Sequence, residues 1–122
     1  MVKSQKPHRQ LILWQKSISF SVFVYKLSEN FPSTEKYGLI SQFRRASVSI
    51  ALNIAEGAGR NHTKEFIQFL GIANGSISEV DTICELLFQL NFINLKQQEE
   101  LSEKINELSA LNNGLLRKLK SS

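Results

Sequence analysis

From Phe66 to Leu87 the apolar residues Phe66, Leu70, Ala73, Ile77, Val80, Cys84 and Leu87 follow one another in alternating steps of four and three without a phase slip. A helix turns about 100° per residue, so this spacing lays all seven along one side of a single long helix. The same steps recur through the rest of the chain, and the two-residue alternation of a strand does not. Only two prolines, Pro7 and Pro32, interrupt the sequence. The spacing predicts an all-α protein with no strands.

Four helical segments are expected. The first runs from about Leu11 to Glu29, its apolar side formed by Trp14, Ile18, Phe20, Phe23, Val24 and Leu27, and stops where Phe31 is forced into an extended conformation by Pro32. The second runs from about Ser33, with Ser33 or Thr34 as its cap, to Gly57. It carries Leu39, Phe43, Ala46, Ile50, Ile54 and Gly57 on one face, and Gly57 or Gly59 is expected to supply a left-handed C-cap. Thr63 is the natural N-cap of the third, which is expected to continue to about Leu90 through Asn74-Gly75, although that dipeptide is also a turn signal. Asn94 with Gln97 forms the capping pair of the fourth. Leu101, Ile105, Leu108, Leu115 and Leu119 carry that helix to the C-terminus, where Arg117, Lys118 and Lys120 suit the negative end of its dipole. Long helices joined by short connections argue for an antiparallel up-down-up-down four-helix bundle over residues 11–122, preceded by a basic tail at 1–10.

A chain of 122 residues and 13.9 kDa is one domain by size, and roughly two-thirds of its unfolded surface can be buried without a staple. The single Cys84 forms no internal disulfide and reads as a small core residue. No run approaches the roughly 18 apolar residues of a membrane span, and the N-terminus lacks an apolar signal segment, so a cytoplasmic location is expected. The net charge of +4 is unevenly spread. Residues 1–28 hold five cations and no acid, residues 63–110 three cations against eight acids, and residues 111–122 three further cations. Basic ends attract phosphates, and they also serve solubility; both readings stand.

The second helix has more faces than a solitary bundle needs. Ile40, Ser47, Ala51, Ala55 and Ala58 form a stripe of mostly small residues about 100° from the core stripe, where another helix could approach closely. With Phe69, Ile72 and Ile83 on the third helix, where Leu86 and Leu90 also widen the apolar arc, these are the candidate oligomer interface; the alternative is that they fill a wide core. A polar ridge of Gln42, Arg45, Ser49, Asn53, Glu56 and Arg60 lies on the other side. Glu79, inside the apolar arc of the third helix, is expected to pair with Arg45 or Arg60 in a structural polar network. Arg44 points about 100° from Arg45, so the two arginines are not one clamp.

These residues carry a resemblance. Phe31-Pro32, Glu35-Lys-Tyr-Gly-Leu39, Gln42-Phe-Arg-Arg-Ala46, Ser49-Ile50, Asn53-Ile-Ala-Glu-Gly57, Gly59-Arg60, Glu65-Phe66, Phe69-Leu70 and Gly75-Ser76 to Glu79 resemble the four-helix-bundle family named for the 23S rRNA-intervening sequence protein. That family is similar in fold to the accessory variability determinant of diversity-generating retroelements. The resemblance covers roughly Leu11 to Leu119. It implies a bundle that assembles as a ring-like homopentamer, and it suggests nucleic-acid binding and, through the retroelement relatives, a protein partner such as a reverse transcriptase. Ser47 stands where the family usually has alanine, and Leu52 where it often has a small residue or proline.

No catalytic constellation is found. His8 and His62 have no cysteine or carboxylate at metal-ligand spacing on a shared helix face, so no metal and no cofactor are expected. Gly57-Ala58-Gly59 follows a helix rather than a strand and lacks the ending of a phosphate-binding loop. A non-enzymatic, homo-oligomeric module is therefore expected, docking structured RNA or DNA through phosphate contacts. Candidate contacts are Lys3, Lys6, Arg9, Lys16, Arg44, Arg45, Arg117, Lys118 and Lys120. The alternative is a protein-protein interaction scaffold that binds no nucleic acid.

Overall fold

The computed structural model describes residues 6–35 and 38–121. Its long elements are α1 (Ile12–Ser28), α2 (Leu39–Ala58), α3 (Thr63–Gln89) and α4 (Leu95–Lys120), with short 3-10 turns at Pro7–Gln10 and Ser33–Glu35. Each helix packs on the next in the chain, α1 also packs on α4, and the diagonal pairs stay apart. The arrangement is a square, antiparallel bundle. The starts of α1 and α3 therefore share one end with the finishes of α2 and α4.

The continuous core stripe of α3 is present as expected: Leu70, Ala73, Ile77, Val80, Cys84 and Leu87 are buried, and Phe66 is half-buried against them. The helix runs through Asn74-Gly75 unbroken because tertiary packing on both sides outweighs a cost of about 1 kcal/mol for the glycine. On α2 the stripe Phe43, Ala46, Ile50, Ile54 and Gly57 is buried, with Leu39 packed at its edge. Leu101, Ile105 and Leu108 are the buried contribution of α4.

The seam between α2 and α3 is the closest in the bundle. A Cβ built on Gly57 would lie 2.8 Å from Phe69 Cβ and 2.9 Å from Phe66 Cδ1, so hydrogen is all that fits there. Higher on the same seam, the hydroxyls of Ser49 and Ser76 stand 2.9 Å apart and share a hydrogen bond. Between α3 and α4, the fully buried Asn112 donates Nδ2 to the carbonyl of Leu70 at 3.0 Å, and Asn74 Nδ2 donates to Asn113 Oδ1. Asn112 occupies a core position in the stripe of Leu108 and Leu115 that the apolar spacing alone does not reveal.

Several ends differ from the expectation. Gly38 has φ −103° and ψ −108°, outside the helical region, so α2 starts at Leu39 rather than Ser33, and neither Ser33 nor Thr34 caps it. Gly59 ends α2 in a right-handed conformation (φ −79°, ψ −10°), and Gly57 lies within the helix; neither is a left-handed cap. Thr63 is the first residue of α3, preceded by an extended His62 whose side chain makes no capping bond. The left-handed residue is Asn91 (φ 62°) after α3. Its N–H donates to Phe88 O and the N–H of Phe92 donates to Leu87 O, the Schellman pattern that satisfies the last carbonyls of the helix. The Asn94 and Gln97 capping box of α4 forms as expected, with both bonds at 2.8 Å. On α1 the core positions are Leu13, Ser17, Phe20, Val24 and Ser28, and Ile18 is turned outward. Ser17 and Ser28 are tolerated inside because their hydroxyls donate to Leu13 O and Val24 O one turn back.

Two outcomes test this packing. Gly57→Ala pushes α2 and α3 apart and is expected to cost about 1–3 kcal/mol, seen as a lower Tm by thermal circular dichroism. Gly75→Ala, where a Cβ meets nothing within 4 Å, should raise stability by about 0.5–1 kcal/mol. Burial, with a contribution from Asp81, pushes the Cys84 thiol from 9.0 to about 12. The unfolded thiol ionises near 9 while the folded one stays protonated, so stability falls as pH rises from about 9 towards 12. Urea midpoints across that range should fall more steeply for the native chain than for Cys84→Ala.

Candidate nucleic-acid interface and outer faces

The antiparallel topology sorts the charges. Arg9, Arg60, Lys64, Arg117, Lys118 and Lys120 are exposed at the end where α1 and α3 begin and α2 and α4 finish. Glu29, Asp81, Glu85, Glu99, Glu100 and Glu103 are exposed towards the other end. The sorting is a bias: Glu56 and Glu65 sit near the basic end, and Lys26, Lys96 and Lys104 near the acidic one. A positive end of this kind attracts anions in general.

The basic end includes a folded feature of the N-terminal segment. Pro7–Gln10 turns back on α1, His8 meets Trp14 edge-on at 4.9 Å between ring centroids, and the Arg9 guanidinium lies over the same ring at 5.2 Å. Gln15 Nε2 donates to Arg9 O at 2.8 Å. Trp14 therefore anchors Arg9, a role the sequence signals only by placing an aromatic next to a basic stretch.

The candidate cations do not form one patch. Lys3 lies outside the described residues. Lys6 is exposed at the basic end with Arg9, Arg117, Lys118 and Lys120. Lys16 is tied to Glu107 at 3.5 Å on the α1–α4 side. Arg44 and Arg45 stand in the first third of α2, away from the rest. Arg44 is fixed between helices: Nε donates to Ser28 Oγ at 2.8 Å, Nη2 donates to Tyr25 O at 3.2 Å, and the guanidinium lies 4.7 Å from the Tyr25 ring centroid. Arg45 is exposed, consistent with the roughly 100° between the two on the helix. Arg60 and Lys64, which the candidate set omitted, join the basic end because the connection between α2 and α3 brings them there.

The expected polar network is smaller than its candidate residues. Asn53 Nδ2 donates to Ser49 O and Ser49 Oγ at 2.9 and 3.1 Å, and Ser49 reaches Ser76. Glu56 and Arg60 pair at 3.8 Å, and Arg60 also lies over Phe69 at 5.1 Å. Gln42, Arg45 and Glu79 are exposed and join none of this among the described residues. Glu79 needs no buried partner because its part of the α3 arc faces solvent beside α2.

The small-residue stripe of α2 is not a free surface. Ile40, Ser47 and Ala51 are buried and Ala55 and Ala58 half-buried within the chain, where α1 packs close enough for Ser21 Oγ to donate to Ser47 O at 3.1 Å. Ile83 is buried at 4% exposure, and Phe69 is half-buried beside Gly57. Of the interface candidates only Ile72, at 50%, is exposed.

Other apolar residues are exposed instead. Among the described residues these are Ile12, Ile18, Val22 and Tyr25 on α1, Leu52 on α2, Ile72, Leu86 and Leu90 on or just after α3, and Leu95 at the start of α4. Beyond Leu95, α4 exposes no large apolar side chain. Val48 joins Ile18, Val22 and Tyr25 around one hollow, and a groove of about 640 Å³ along α2 is lined by Tyr25, Ile40, Ser41, Arg44, Arg45, Val48, Ser49 and Leu52. The outer sides of α1, α2 and α3 thus carry exposed apolar side chains among their polar ones, while beyond Leu95 that of α4 is polar and charged.

No group of three or more His, Cys, Asp or Glu able to hold a metal ion occurs among the described residues, and none of their helices is long and apolar enough to cross a membrane. No curated protein matches the chain. A solved structure is similar over 87% of this chain and 96% of its own, with 25% identity and a TM-score of 0.81. It is a protein of unknown function from the S23 ribosomal protein family of Bacteroides thetaiotaomicron VPI-5482. Neither that protein nor the matching family is described as a retroelement component. The model of the 23S rRNA-intervening sequence protein family matches residues 9–114, and the chain belongs to that family.

Proposed function

We propose that this protein is a non-enzymatic, self-associating module that binds structured RNA or DNA through phosphate contacts made by its basic end. The observation that carries the reading is the gathering of Arg9, Arg60, Lys64, Arg117, Lys118 and Lys120 at one end of a bundle whose other end is acidic. Phosphate contacts need flexible cations on an accessible surface and no pocket. Most phenylalanines pack in or against the core, so base stacking contributes little and recognition is by backbone and shape.

Self-association multiplies the cationic end. A closed ring repeats the same cations around one axis, and the ring-like homopentamer implied by the family resemblance repeats them five times. The exposed apolar side chains of α1, α2 and α3 support an assembly, since leaving them wet is unfavourable by about 25 cal/mol for each Å² that a neighbour could cover. The same face supports the second reading, a scaffold that captures another protein such as a reverse transcriptase and needs no nucleic acid.

The two readings separate in a binding titration with a hairpin RNA. Replacing Arg117, Lys118 and Lys120 together by glutamate is expected to weaken binding at least tenfold and flatten its salt dependence, because fewer counterions are released. Lys26→Glu and Lys96→Glu at the other end should leave it unchanged. Binding that ignores salt, or no binding at low salt, overturns the nucleic-acid reading.

A further inference from the structure

We propose that copies of this chain assemble head to tail, the α1–α2 groove around Leu52 and Arg45 of one copy receiving the α3 stripe of Ile72, Glu79 and Leu86 of the next. The inference rests on the self-association proposed above and names the two surfaces that carry it.

The two surfaces differ in kind. The groove is apolar along Tyr25, Val48 and Leu52, and its charged lining residues are both arginines. Leu52 is 63% exposed. The α3 stripe presents Ile72, Glu79 and Leu86 at steps of seven residues, which bring them to nearly one side of the helix. Its charge is a carboxylate. Arg45 and Glu79 are both exposed and neither has a partner within its own chain among the described residues.

Register strengthens the match. The hydrogen bond between Ser49 and Ser76 places those residues at one height on antiparallel helices. One turn above it stand Arg45 on α2 and Glu79 on α3; about one turn below stand Leu52 and Ile72. Leu52 and Arg45 are seven residues apart, as are Ile72 and Glu79, a rise of about 10 Å in each case. Rotation about an axis parallel to the bundle leaves every height unchanged. A neighbour generated by such a rotation therefore meets Leu52 with Ile72 and Arg45 with Glu79 at the same levels, and Leu86 reaches the level of Ile40 at the head of the groove.

The contact is between two different surfaces, so each copy keeps one of each free for further neighbours. The groove lies on the outer side of α2 towards α1 and the stripe on α3, so one copy can engage a different neighbour with each. The apolar side chains supply the burial, and the pairing of Arg45 with Glu79 selects the register and opposes a two-fold arrangement that would set like charges together.

Two surface variants test this by light scattering at micromolar concentration. Leu52→Glu spoils the groove and Ile72→Glu spoils the stripe; both positions are exposed, and circular dichroism checks that both variants fold. Each alone is expected to have the mass of one chain, whereas an equimolar mixture gives a one-to-one dimer through the intact stripe of the first and the intact groove of the second. Arg45→Glu should weaken assembly of the otherwise native chain at least tenfold, and Arg45→Glu with Glu79→Arg should restore it. A native chain that assembles while the mixture stays monomeric, or single variants that assemble normally, overturns the head-to-tail contact and leaves self-association standing. A native chain of one-chain mass overturns both.

Discussion

The close approach of α2 and α3 governs the rest of the molecule. Two helices can come this near only if the contact point has no side chain, and Gly57 supplies it against Phe66 and Phe69. Once they are that close, Ser49 and Ser76 can reach one another, and the hydrogen bond sets the sliding position of one helix on the other. Core stripes on both helices then interdigitate at fixed heights. The position of every outward residue on α2 relative to α3 follows from the same two points, so surface pattern and interior packing are one geometric fact.

The other helices are attached by different means. On the α1 side, Arg44 bridges to Ser28 and Tyr25 while Ser21 reaches a carbonyl of α2, so polar links near the middle and one end hold two helices whose facing residues are mostly small. On the α4 side, Asn112 puts an amide into the core. Its Nδ2 is satisfied by Leu70 O, and its Oδ1 has no partner within the described chain. Burying a polar group that is only half satisfied costs on the order of 1–3 kcal/mol, and sliding α4 by one turn would forfeit the remaining bond as well. The amide thus penalises wrong registers of α4 on α3.

Much of this architecture is legible in the sequence because burial follows helical periodicity. The stripes of α2, α3 and α4 emerge from spacing alone, and the Asn94 capping box from a pattern whose chemistry is local. What spacing cannot tell is which body covers a given face. The Ile40, Ser47 and Ala51 stripe has the small residues of a close helix contact, and that contact exists, but the covering helix is α1 of the same chain. Glu79 illustrates the converse. Its angle on the wheel puts it among apolar neighbours, yet exposure depends on how far α2 reaches across α3, which is a property of three dimensions. Gly57 has the sequence context of a cap and the structural role of a contact point. Asn91, which takes the left-handed conformation, carries no neighbouring glycine or proline to announce it. At the basic end, the clustering of Arg60 and Lys64 with the C-terminal cations depends on topology, and Trp14 gains its importance only when the preceding turn folds back on it.

Two ion pairs stand among the described residues, Lys16 with Glu107 and Arg60 with Glu56, and all four side chains are about half exposed. Such pairs contribute little, with a median of about 0–1 kcal/mol, and fade as electrolyte is added. Cohesion resides in the dry interior instead. The bundle should consequently keep its shape from dilute buffer to brine, which makes ionic strength a clean dial for whatever its polarised ends attract, uncoupled from denaturation.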